Sequence, residues 1–102
     1  MVKLILISWR DIPAQVVVKR GRTREKAVMS QRFHKAIDRA AMRAGKGSSD
    51  AYLSEWRRET TMLDTGDELD EIAGREVARL ESEFTDEQLL QMIRNHGSAS
   101  AK

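Results

Sequence analysis

A chain of 102 residues and 11.6 kDa carries material for one hydrophobic core and excludes a second, separate catalytic domain. With 40% hydrophobic residues, 33% charged residues and no cysteine, it reads as a folded protein of a reducing, cytoplasmic compartment. Thiolate nucleophiles, Cys-ligated zinc and iron-sulfur ligation are excluded. The net charge of +2 conceals a strongly basic first half, residues 1–49, and an acidic second half, residues 50–102; the split suits two faces that attract within the fold, a head-to-tail homo-oligomer, or an anionic partner.

In chain order, Lys3 to Trp9 (KLILISW) and Ala14 to Arg20 (AQVVVKR) are near-continuous runs of β-branched and aliphatic residues, as expected of strands covered on both faces. Arg10-Asp11-Ile12-Pro13 between them supplies a turn, and the pair predicts a β-hairpin. The apolar run Val2 to Ile7 is too short for a secretory signal or a membrane span, so no membrane association is expected.

Gly21 to Ala27 (GRTREKA) lacks apolar periodicity and reads as a solvated basic loop, with Ala27 to Met29 able to add a short edge strand. Ser30 is placed to cap a helix running to Ala44, with Phe33, Ile37, Ala40, Ala41 and Ala44 along one face and Gly45 as its stop. Gly45 to Ser49 then reads as a flexible link. Asp50 to Thr61 fits two patterns: Tyr52, Leu53 and Trp56 at helical spacing, or Tyr52, Ser54 and Trp56 alternating along a strand. A short helix is preferred.

Thr65-Gly66-Asp67-Glu68 has capping-box spacing ahead of the apolar stripe Leu69, Ile72, Ala73, Val77, Leu80, Phe84. Thr85-Asp86-Glu87-Gln88 repeats it ahead of Leu89, Leu90, Met92 and Ile93, with Gly97 as the C′ stop. The expected fold is therefore α+β: an antiparallel β-hairpin or small sheet packed on helices, with a C-terminal helical hairpin. Residues 1–97 are expected to form a single domain and 98–102 a disordered tail.

Catalytic chemistry finds no handle in this pattern. Ala44 to Ser49 contains Gly-Lys but lacks the glycine spacing, the Ser or Thr after the lysine and the preceding strand of a phosphate-binding loop. His34 and His96 lie on different expected helices without ligand spacing, so no metal and no cofactor is predicted; His34 and Asp38, at i and i+4, read as an exposed helix contact. The carboxylates Asp67, Glu68, Asp70 and Glu71 suit the first turn of a helix.

Two clusters stand out as binding candidates. Lys19, Arg20, Arg22, Arg24 and Lys26 form an anion-binding candidate for an acidic protein surface, a nucleic acid or a small anion, although no aromatic residue interleaves them for base stacking. Trp9, Arg10, Asp11, Arg22, Trp56, Arg57 and Arg58 combine tryptophan with arginine, the composition of an interface hot spot. The preferred reading is a non-catalytic module that docks a partner protein with an acidic surface.

Ser8-Trp9-Arg10-Asp11-Ile12-Pro13-Ala14-Gln15-Val16, Lys19-Arg20-Gly21-Arg22, Ala36-Ile37-Asp38-Arg39-Ala40-Ala41-Met42 and Ser49-Asp50-Ala51-Tyr52-Leu53 with Trp56-Arg57-Arg58 together resemble the small bacterial proteins of the virulence-factor domain family. The resemblance covers roughly residues 3 to 60 and continues loosely through the acidic helices. It implies an accessory factor serving a cofactor or one-carbon metabolic assembly, and it assigns no catalytic residue.

Overall fold

The structure is a computed structural model that describes residues 1–45 and 52–98. Three strands open the fold, β1 (Val2–Trp9), β2 (Ile12–Arg20) and β3 (Thr23–Val28), followed by helix α1 (Gln31–Arg43). Strand β4 (Trp56–Leu63) and helices α2 (Leu69–Glu83) and α3 (Asp86–Arg94) complete it. The strands form one antiparallel sheet in the order β3-β2-β1-β4, and the architecture is α+β with a C-terminal helix pair.

The hairpin arises as its apolar runs predict, but its turn is tighter than the proline suggests. Only Arg10 and Asp11 turn, Arg10 at φ 51. Pro13 sits inside β2 opposite Ser8, where the register shifts. A proline lacks the N–H that a ladder needs, and an irregular position of this kind tolerates it.

Val2, Leu4 and Leu6 of β1 and Ile12, Ala14, Val16 and Val18 of β2 belong to or pack against the main core cluster. Beyond the shift at Ile7 and Ser8, Trp9 joins the same cluster. The shift skips Ala14 of β2, while β1 keeps an unbroken register with β4 as far as the pair Trp9 and Trp56.

Two sequence expectations are corrected along the sheet. Gly21 to Ala27 is not a loop: Gly21 (φ 59) and Arg22 make a short turn, and Thr23–Val28 pairs with β2 as an edge strand. Its exposed, charged TREKAV sequence belongs to an edge and lacks periodicity because only Ala27 contributes to the core. Residues 50–61 are not a helix throughout: Tyr52 and Leu53 are helical, whereas Trp56–Leu63 pairs with β1 along its length. Residues 46–51 lie outside the described residues, and with them most of the expected link and of the rejected phosphate-loop segment.

The helices cover one face of the sheet, and not both as the apolar runs of β1 and β2 predict: no described helix packs on the side of Ile5 and Val17. Phe33, Ala36, Ile37, Ala40 and Ala41 of α1 and Leu69, Ile72, Ala73 and Leu80 of α2 are buried, while Val77 and Phe84 pack at the core's margin. Helix α2 lies on β2 and β3, and α3 packs chiefly on α1. Phe33 and Phe84 meet edge to face at 5.7 Å.

Helix caps follow the sequence at one end and depart from it at others. Thr85 forms the full capping box with Gln88. Thr65 does not cap α2: the N-cap is Glu68, and the Thr65 hydroxyl accepts from the Asp67 amide at 3.2 Å. The expected C′ glycine is displaced by one, because His96 (φ 59) occupies C′ and Gly97 (φ 94) follows. The Gly97 amide donates to Met92 and the His96 amide to Ile93, which closes a Schellman motif. His34 turns back to share a 3.1 Å hydrogen bond with the Met29 carbonyl, not with Asp38. Residues 99–102, most of the expected tail, lie outside the described residues.

The start of α1 is capped from outside the helix. Ser30 donates from its amide and hydroxyl to the Glu81 carboxylate at 2.7 and 3.0 Å, and Arg32 donates to the same carboxylate. A carboxylate at a helix N-terminus complements the macrodipole. Burial opposes ionisation of Glu81, but the Ser30 and Arg32 donors outweigh it and hold its carboxyl below the usual range. Its contribution is therefore complete above the ordinary carboxylate pKa and is lost as pH falls through the lowered value. Glu81→Gln should cost about 1–2 kcal/mol at neutral pH, and urea melts should show this deficit shrinking in acid.

Candidate docking interface

The face of the sheet turned away from the helices is built by the alternate positions of all four strands. The pairing sets three rows across it: Arg24, Lys19, Lys3 and Met62; Lys26, Val17, Ile5 and Thr60; Val28, Gln15, Ile7 and Arg58. Five of these residues are cations and none is an acid. Glu25 and Glu59 of the edge strands sit opposite Val18 and Leu6, on the helix-covered side.

Neither Ile5 nor Val17 belongs to the main core cluster, yet both are almost fully buried. Val28 and Met62 at the margins are 51% and 49% exposed. The face thus has an apolar centre, a ring of cations, and no described helix over it. Among the described residues, none of the five cations has an ion-pair partner.

The anion-binding candidates divide accordingly. Lys19, Arg24 and Lys26 come together here and are joined by Lys3 and Arg58. Arg20 points to the other side and donates to the carbonyls of Thr65 and Asp67 at 3.1 and 2.7 Å, tying β2 to the approach of α2. Arg22 is exposed in the β2–β3 turn.

The tryptophan-arginine candidates are assembled mainly at the opposite end of the sheet, and much of their chemistry is spent on the fold. Trp9 is fully buried, donates from its indole nitrogen to the Tyr52 carbonyl at 2.9 Å, and stacks on the Tyr52 ring at 5.9 Å. Tyr52 in turn meets Trp56 edge to face at 5.7 Å. Arg10 donates to Glu55 and to the His96 carbonyl, each at 2.7 Å, with its guanidinium 5.2 Å from the centre of the Trp9 ring.

The Asp11 amide donates to the Gly97 carbonyl at 3.0 Å, and Arg57 pairs with Asp11 at 3.2 Å. Trp9 therefore offers no surface of its own, whereas Arg57 is exposed and Trp56 half-buried. Arg58 faces the open side of the sheet. Arg22 lies apart from this group, separated by the length of β2, about 30 Å at the usual strand rise.

A family model described as virulence factor matches residues 7–93, from the end of β1 to the last turn of α3. The chain belongs to this virulence factor family. The match includes α2 and most of α3, where the resemblance visible in the sequence becomes loose. Comparison with curated proteins and with solved structures gave no match.

Within this member of the family, Trp9-Arg10-Asp11 acts as a structural clasp that joins the first hairpin, the start of β4 and the segment after α3. Lys3 is the functional candidate that sequence reasoning missed. It stands alone in an apolar run, and only the Lys3–Lys19 register and the Lys19–Arg24 register reveal it as the middle of a basic row. No group of three or more metal-capable side chains occurs among the described residues, and no described helix is long and apolar enough to cross a membrane.

Proposed function

We propose that the protein is a non-catalytic interaction module of the cytoplasm that docks an acidic partner protein on the open face of its sheet. The observation that carries this reading is the acid-free array of Lys3, Lys19, Arg24, Lys26 and Arg58 around Ile5 and Val17. Val28 and Met62, each about half exposed at the margins, supply apolar area to desolvate, and the cations steer an anionic partner and set its register. Following the resemblance noted above, the partner belongs to a cofactor or one-carbon metabolic assembly.

Nucleic acid is the rival anion, and the aromatic residues argue against it. Single strands bind sheet faces largely by stacking bases on exposed aromatic rings. All five aromatic residues of this chain lie in the core or pack against it, and none stands in the three rows that carry the cations. A small anion is likewise disfavoured, because the cations spread across four strands and do not converge on one point.

The test compares wild type with the triple variant Lys3→Glu, Lys19→Glu, Arg24→Glu, all at positions outside the main core, in affinity capture from nuclease-treated extract and in fluorescence anisotropy with a single-stranded oligonucleotide. A specific protein retained by wild type at moderate salt, and at least tenfold more weakly by the variant, is the expected outcome. Equal retention by both proteins removes the open face from the function. Recovery of nuclease-sensitive material alone, with tight oligonucleotide binding, replaces the acidic protein with nucleic acid.

A further inference from the structure

A second surface lies on the opposite side of the molecule, between α1 and α3, and its chemistry differs from that of the sheet. Lys35, Arg39 and Arg43 follow one another at i, i+4 and i+8 along α1, a line of cations rising about 6 Å per step. Among the described residues, none of the three has an ion-pair partner. Arg32, the next cation toward the N-terminus, is already engaged by Glu81 and Asp86.

Beside this line runs an apolar trough. Met42 is 73% exposed and Leu90 43% exposed, with Ile93 half-buried between them and Leu89 beneath. Two hollows of about 280 and 620 Å³ open along it, and both are lined by Arg39 and Ile93. The carboxylates on its walls are Asp38 and Asp86, the latter held by Arg32.

We infer that this groove receives an acidic amphipathic helix of a partner protein. A docked helix repeats on the same i, i+4 spacing as α1, so carboxylates at three successive such positions meet Lys35, Arg39 and Arg43 in register. Its neighbouring apolar stripe then covers Met42, Leu90 and Ile93. A second copy of this chain does not meet the requirement: no described helix carries carboxylates at three consecutive i+4 positions. The groove is separate from the sheet face and stands or falls independently of the function proposed for it.

The probe is a synthetic amphipathic peptide with leucines at i, i+3, i+4 and i+7 and glutamates at three successive i+4 positions on the flank. A control peptide carries lysines in place of those glutamates. Binding is read by fluorescence anisotropy and mapped by amide chemical shifts on the full chain. The expected result is saturable binding of the acidic peptide, with shifts confined to α1 and α3.

Affinity should fall at least tenfold in Arg39→Glu and in Met42→Glu, both at exposed positions, and stay unchanged in the sheet-face triple variant. Absence of shifts in α1 and α3, equal binding of the lysine peptide, or shifts centred on the open sheet face overturns the inference. So does a concentration-dependent homodimer that itself occupies the groove.

Discussion

Trp9→Ala should lower the stability of the protein by about 3–5 kcal/mol, the range for removing a large aromatic residue from a packed core. The total stability of such a domain is of order 5–15 kcal/mol, so the effect is a large share of it. The indole is fully buried between Tyr52 on one side and the segment around Gly97 on the other. Its removal leaves a cavity and also strips the Tyr52 carbonyl of its donor. Urea unfolding should show the loss as a lower midpoint, and Trp9→Phe, which keeps a ring but no N–H, should fall between the two. A loss below about 1 kcal/mol for the alanine variant contradicts the packing described here.

Gly97→Ala should be the most damaging of the small substitutions, at about 2–5 kcal/mol. An added Cβ lies 2.8 Å from Cζ3 of Trp9, and the backbone there has φ +94. Left-handed backbone costs a non-glycine residue about 1–2 kcal/mol, and overpacking against a ring that cannot retreat adds about 1–3 kcal/mol. Gly21→Ala is the control: its φ is +59, but nothing lies within 4 Å of the added carbon, so it should cost only the backbone part. Equal melting temperatures for the two variants would refute the close approach of Gly97 to the indole.

The helices were legible in the sequence because each buries a stripe of full helical period, as Phe33, Ile37, Ala40 and Ala41 do. Strands β1 and β2 were legible because they are central and apolar. The edges were not. Strand β3 contributes only Ala27 to the core, and β4 mainly Trp56 and Leu63 at its two ends, so neither carries an alternating apolar signal. Their strand character comes from pairing with β1 and β2, a tertiary effect that overrides local pattern.

The candidate sites show the same division. Lys19, Arg24 and Lys26 could be singled out because they are close in sequence. Lys3 and Arg58 reach the same face only through the registers Lys3–Lys19 and Ile7–Arg58. Arg20, adjacent to Lys19, has the opposite strand phase, and a one-residue difference in a strand places it across the sheet. The arginine next to Trp9 drew attention as an interface residue, yet its bonds to Glu55 and His96 serve the fold.

The contact between Trp9 and Gly97 has a bearing on how the chain matures during translation. Translation proceeds from the N-terminus, so the first hairpin emerges long before the residue that covers its tryptophan, and domains generally complete folding as units. Until Gly97 has left the ribosome, the indole has no lid and the nascent chain displays an apolar, arginine-flanked tip. A ribosome stalled within α3 should therefore carry a chain that chaperones still recognise, whereas one stalled in a linker added well past residue 98 should carry a closed and protease-resistant fold.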